Sequence, residues 1–231
     1  MVRRHSLAAG LAATLLAAVL QAQPQHQHNT ERARARLFAA LGAKEGAVVA
    51  DVGAGDGGYA VPLAKTVGPS GRVIAVDVSS SALDKLRARI ARESASNIDV
   101  IQGDVDNPRL TPGSLDGVLI VNAYHEMSEH QAMLGHIRAA LKPAGRLVIA
   151  DFATASRRAE PRAQQTGRHE IAPELVQRDL REAGFQIVGF EDPFLEGDGG
   201  DRHVEWLLIA TPVASDKVTG LQGYRVTRLQ R

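Results

Sequence analysis

The chain has no cysteine. A disulfide, a thiolate nucleophile and a thiolate metal site are therefore excluded. Aromatic residues make up 4% of the sequence, too few for the stacking platforms that single-stranded nucleic acid needs. Charge of one sign is also lacking: 27 basic against 26 acidic residues give a formal net charge of +1. That balance supplies no electrostatic footprint for nucleic acid or for an anionic membrane surface. Length, by contrast, is sufficient. The 231 residues can hold one α/β domain with a sizeable core, and fall short of two full-sized ones.

The first segment stands apart from the rest. Arg3 and Arg4 precede an uncharged run of Ala, Leu, Val, Gly and Thr from Leu7 to Leu20, and polar residues follow from Gln21 to Thr30. This three-part pattern is that of a secretory signal peptide over residues 1–22, with cleavage after Ala22. The expected location is periplasmic or secreted, with an uncleaved membrane anchor as the alternative. The apolar run is shorter than the roughly 20 residues a spanning helix needs, so no stable span is expected after cleavage. Arg3-Arg4-His5-Ser6-Leu7 partly resembles a twin-arginine signal, with Val2 and Ser6 as departures. Removing residues 1–22 leaves 25 basic and 26 acidic residues. Residues 23–30 read as a polar linker in which His26 and His28 are solvated.

From residue 31 onward, strand-like and helix-like segments alternate. Residues 31–41 carry Leu37 and Leu41 on one helical face. Strands are expected at 48–52, 72–76, 99–102, 117–121, 146–150, 186–190 and 205–211. Helices are expected after Ser81, with Leu83, Leu86 and Ile90 as its stripe, after Ser128, with Met133, Ile137 and Leu141, and over 173–183 with Gly184 as the stop. Five alternations imply a parallel sheet with helices on both faces. The last two strands leave no room for a crossover helix, so the final strand is expected to run antiparallel. The expected fold is α/β: a Rossmann-like, seven-stranded, mostly parallel sheet with an antiparallel last strand. The domain spans 31–211, followed by a tail over 212–231.

The first strand runs into Asp51-Val52-Gly53-Ala54-Gly55-Asp56-Gly57-Gly58. Glycines there let a ligand lie against the backbone at a helix N-terminus. Asp77 ends the second strand, where a carboxylate can accept from both hydroxyls of a ribose. Gly53, Gly55 and Gly58 also match G-x-G-x-x-G, and the loop alone does not separate NAD from S-adenosylmethionine (SAM). Asp51 favours SAM: a carboxylate suits a cationic amino-acid end and would repel a pyrophosphate. Asp104, after the third strand, is placed to accept from an adenine amino group.

The segment Val49–Gly57, the strand Arg72–Asp77 and the stretch Leu141–Leu147 together resemble a class I SAM-dependent methyltransferase. The resemblance covers roughly residues 31–211 and is nearest to small-molecule, quinone-biosynthesis-like enzymes, including exported bacterial relatives. Ala144 departs from the family's usual Gly-Gly. The resemblance implies SAM as cofactor, with Asp51, Gly53 and Gly55 around its methionine end. It likewise assigns Asp77 to the ribose, Asp104 and Val105 to the adenine, and Asn122 to the region of the sulfonium.

The methyl acceptor is expected beyond the carboxyl ends of the strands, among Asn122–Met127, Asp151-Phe152 and the Arg-rich stretch 157–169. His125 is the candidate base, since its ordinary pKa lies near neutrality, and a structural histidine is the alternative. Glu126 could orient it, and Asp151 could be a base or a metal ligand. No full carboxylate set of the catechol type is present and no metal is expected. Arg157, Arg158, Arg162 and Arg168 read as a solvated loop or as a grip for an anion. The loop after strand four is not Asp/Asn-Pro-Pro-aromatic, the signature that goes with nitrogen acceptors. The expected acceptor is therefore a small molecule methylated at carbon or oxygen. Two other readings stay open: an exported SAM- or nucleoside-binding protein without turnover, and an NAD-dependent oxidoreductase.

Overall fold

Alternate side chains of the strands feed two separate apolar cores, one on each face of a single sheet. The computed structural model describes residues 31–194 and 206–213. The seven strands are β1 (Val48–Val52), β2 (Arg72–Asp77), β3 (Ile98–Gln102), β4 (Leu115–Val121), β5 (Leu141–Asp151), β6 (Phe185–Glu191) and β7 (Trp206–Pro212). Their order across the sheet is β3-β2-β1-β4-β5-β7-β6. Strands β1 to β5 pair in parallel, and β7 runs antiparallel to both β5 and β6. Apart from β7 the sheet is parallel, which matches the arrangement expected from spacing.

On one face, Val49, Val73, Ala75, Leu119 and Val148 pack against α1 (31–41), α2 (Ala60–Val67) and α3 (Ser80–Glu93). On the other, Ala50, Val118, Ile120, Leu147 and Ile149 meet α4 (His130–Ala140) and α6 (Pro173–Glu182). The short α5 (Arg162–Thr166) lies in the segment that follows β5. Consecutive strand residues face opposite ways, so β1, apolar but for Asp51, and β4, apolar but for Asp116, bury both of their faces. The single tryptophan, Trp206, is fully buried, and its indole N–H donates to the Ile171 carbonyl at 3.0 Å. Close approach fixes α1: a Cβ on Gly117 would lie 2.6 Å from Leu41 Cδ1.

Several boundaries differ from expectation. Ser79, not Ser81, caps α3 by accepting from Ala82 N–H at 3.3 Å. Ser128 caps nothing; α4 starts at His130 with no side-chain cap. It ends at Ala140 because Leu141 already bridges to Leu115 of β4. In line with the sequence expectation, 103–114, between β3 and β4, contain no helix. That stretch carries the chain from the β3 edge back past β2 and β1, so β4 lies beside β1. The expected signal peptide, the linker at 23–30, the glycines at 197, 199 and 200, and the tail beyond Val213 lie outside the described residues. No helix among the described residues is long and apolar enough to cross a membrane.

Candidate active site

The reversal of strand order between β1 and β4 leaves a crevice at the carboxyl ends of the strands, the usual ligand position in an open α/β sheet. Its first wall is the glycine loop. Gly53 N–H and Ala54 N–H both donate to the Val76 carbonyl, at 2.8 and 3.0 Å. Asp77 completes the clamp. One carboxylate oxygen accepts from Gly55 N–H and the other from Ser79 N–H, each at 2.8 Å. Gly53 and Gly55 hold φ of +82° and +55°, a region in which other residues are strained. A Cβ on Gly53 would fall 2.4 Å from Ala123 Cβ, whereas one on Gly55 would enter open space. Gly53 is thus required by packing between loops, and Gly55 leaves room for a ligand.

Asp51 lies beneath this loop, 2% exposed. It accepts from Ala60 N–H at the start of α2, while its Oδ2 has no hydrogen-bond partner. Burial, the largest influence, raises its pKa from 3.8 to about 7; the Ala60 hydrogen bond opposes that rise, and the nearby Asp77 charge adds to it. A buried acceptor without a partner costs free energy, and a cationic ligand group would relieve it.

The cleft is lined by Val52, Gly53, Val76, Asp77, Val78, Asp104, Val105, Ala123, Glu126, Met127, Ser128 and Met133. It therefore brings Gly53 and Asp77 together with Asp104 and Val105. Val78 and Val105 are exposed hydrophobics at its rim, able to sandwich a flat ring. Asp104 is engaged already: Arg109 donates to both its oxygens, at 2.9 and 3.0 Å. Asn122 is exposed and does not line the cleft. Its φ of +50° turns the chain after β4, and its N–H donates to the Ala150 carbonyl at 2.8 Å. Sequence reasoning missed Val78, Ser128 and Met133 as lining residues. Met133 sits on the apolar stripe of α4 and carries no separate signal.

Beyond Glu126 lies a second centre. His125, 4% exposed, sits in a turn (Tyr124–Glu126) after β4, and Asp151, fully buried, ends β5. His125 Nδ1 is 2.9 Å from Asp151 Oδ1, and Asp151 also accepts from the backbone N–H groups of His125 and Phe152. Burial lowers the His125 pKa, but the Asp151 hydrogen bond and charge, aided by Glu126, outweigh it and leave the pKa raised. Asp151 accepts from the imidazole, which fixes Nδ1 as the protonated nitrogen and turns Nε2 outward. Asp151, rather than Glu126, is the residue that orients His125. The turn is pinned by Tyr124, whose hydroxyl donates to buried Asp179 at 3.0 Å. The four arginines named from sequence pair internally: Arg157 with Glu170, Arg158 with Asp192, Arg162 with Asp179, and Arg168 with Glu160. Arg157 and Arg168 brace the 153–172 segment internally, and Arg158 and Arg162 tie it to Asp192 and to Asp179 of α6.

Residues 49–145 match the model of a methyltransferase domain. Over 115 residues the chain is 32% identical to the demethylmenaquinone methyltransferase of Lactococcus lactis, covering 50% of this chain and 46% of that protein. It is 31% identical over 112 residues to the ubiquinone/menaquinone biosynthesis C-methyltransferase of Pseudomonas putida, covering 48% and 44%. The chain thus spans less than half the length of these two relatives. Among solved structures, a SAM-dependent methyltransferase from Aquifex aeolicus superposes with a TM-score of 0.66 at 23% identity, over 78% of this chain and 89% of that one. The [4+2]-cyclase SpnF superposes equally well, at 0.66 with 19% identity, over 79% and 82%. Fold and site together resemble those of a class I SAM-dependent methyltransferase domain. Over residues 49–145 the chain is similar to that family, and the two relatives it matches here are quinone-biosynthesis enzymes. The fold alone does not fix the reaction, since a cyclase shares it. The site fits SAM on its own features: the partnerless buried Asp51 oxygen, the open space at Gly55 and the apolar rim at Val78 and Val105.

Proposed function

We propose that the protein transfers the methyl group of SAM to a small-molecule acceptor, at carbon or oxygen. The observation that carries this is the adjacency of two centres, the cleft running from Gly53 to Met127 and the His125–Asp151 pair immediately beside it. Bound SAM supplies an electrophilic methyl on a cationic sulfur. Asp51 holds its ammonium group, Gly53 and Gly55 leave space for the methionine end, and Asp77 accepts from the ribose hydroxyls with its remaining lone pairs. Asp104 and Val105 border the adenine. Ala123, which packs against Gly53, borders the cleft in place of Asn122, whose role is to turn the chain after β4. His125 Nε2 takes the proton of the acceptor, and Asp151 holds the ring in place and stabilises the imidazolium. Alignment and water exclusion contribute the remainder.

The names of the two relatives make quinols the first acceptors to assay. Turnover with methyl-labelled SAM is the test. His125→Ala is expected to lower the transfer rate by about 100-fold or more, the range for a general base, and to leave SAM affinity nearly intact. A chain that binds SAM yet labels no acceptor would be a binding protein on this scaffold. A chain that binds NAD but not SAM would be neither.

A further inference from the structure

At the edge of the cofactor cleft, which Glu126 also lines, His125, Glu126 and His169 converge. His125 Nε2 is 3.8 Å from Glu126 Oε1, which is 3.6 Å from His169 Nδ1. One ligand atom from each residue lies within 4.8 Å of the other two. The two imidazole rings meet edge to face, with centroids 5.6 Å apart and planes at 87°. We propose that His125, Glu126 and His169 form a site for one divalent transition-metal ion, zinc being the best fit.

Three observations support the assignment. The ligand set is two imidazoles and one carboxylate, which suits zinc and leaves at least one coordination position open. The deepest ligand is already oriented, since Asp151 holds Nδ1 at 2.9 Å and directs Nε2 towards the other two. A carboxylate behind a histidine ligand is the usual outer-shell partner of zinc. The third is freedom of movement. Bonds of about 2.0–2.2 Å in a tetrahedron put ligand atoms about 3.3–3.6 Å apart, so the triangle must contract. The Glu126 and His169 side chains are 65% and 76% exposed and can rotate inward. The backbone beneath His169 need not move, because buried Glu170 ties it to Thr154 and Arg157. Zinc on Nε2 uses the lone pair that would take the acceptor's proton. Occupancy and base action therefore exclude each other, and the ion inhibits any turnover that depends on His125. The site itself does not rest on the methyl-transfer reading.

The test is titration of the tag-free, chelator-stripped full chain with zinc chloride by calorimetry, and with cobalt chloride by visible absorption. One equivalent per chain is expected, with the absorption of tetrahedral cobalt. His169→Ala, at an exposed side chain that folding does not need, should weaken zinc binding by at least the roughly 10–100-fold lost with an outer-shell partner. Asp151→Asn should fall in that same range. The double variant His26→Ala, His28→Ala should bind zinc as the parent does. Unchanged affinity in His169→Ala, or loss of binding with His26 and His28, would overturn the site. SAM is titrated into the same samples. Failure of SAM to bind while zinc follows the expected pattern would remove the methyl-transfer reading and leave the metal site standing.

Discussion

At the scale of single residues, Asp51 is tuned by what faces it. Its pKa is raised by burial from 3.8 to about 7, so the folded chain holds this proton more tightly than the unfolded chain. The resulting contribution to stability is complete below 3.8 and is lost as pH rises through about 7. An ammonium opposite Asp51 favours the carboxylate instead. SAM affinity is therefore expected to rise with pH through the same window, while the melting temperature without SAM drifts down. Melts and SAM titrations across that range check both trends, and a pH-independent SAM affinity would count against Asp51 as the ammonium partner. Asp77 has two tasks, since its oxygens clamp the loop at Gly55 and Ser79 besides facing the cleft. Asp77→Ala is expected to weaken SAM binding by about 1.5–3 kcal/mol, the range for hydrogen bonds to a charged group. It should lower thermal stability as well, because two backbone N–H groups lose their acceptor. Calorimetry of the folded variant separates the two effects, and parent-like SAM affinity would refute Asp77 as the ribose acceptor. The first of these tasks could not be read from sequence, because a loop amide leaves no mark in residue type.

Whole elements were legible where apolar periodicity decides and illegible where caps do. The core stretches of the seven expected strands all lie in strands, since uninterrupted apolar runs between glycine-rich turns leave little choice. Helix starts were less certain. Ser79, Ser80 and Ser81 are chemically equivalent candidates, and only the extended backbone of Ser79 makes it the cap. The His125–Asp151 pair was named only as two separate candidates. Its members are 26 residues apart and meet because β4 lies beside β5, a pairing that residue chemistry does not announce. The arginine-to-acid pairs of the 153–172 segment escaped for the same reason. Packing of α1 on the sheet has a sharp consequence. A methyl on Gly117 would meet Leu41 Cδ1 at 2.6 Å and the Leu41 carbonyl at 3.1 Å. Gly117→Ala is expected to push α1 off the sheet and to cost about 1–3 kcal/mol, as overpacking typically does. Denaturant unfolding measures it, and an unchanged midpoint would mean that α1 repacks freely.

For the molecule as a whole, the parallel sheet and its antiparallel last strand were implied by alternation and by the short final connection, whereas the strand order comes from the structure. The stretch between β3 and β4 carries no helix, and the sequence places none between 102 and 117. We propose that residues 1–22 direct export and that the mature chain begins near Gln23. Cell fractionation followed by N-terminal sequencing is the check, and an uncleaved chain confined to the cytosol would overturn it. If the chain is exported, Arg3→Lys with Arg4→Lys tests the route, because a general secretory signal needs only the positive charge and a twin-arginine signal needs the arginines. Trp206 offers a different kind of access. It is the sole tryptophan of the chain, it pairs with Asp151 across β5 and β7, and its indole N–H is tied to the Ile171 carbonyl, two residues past His169. Its emission is thus a built-in optical gauge of whether the stretch carrying His169 stays seated on the sheet. Excitation of one native side chain, with no label attached, would register lifting of that stretch as a red shift and its seating as a blue one.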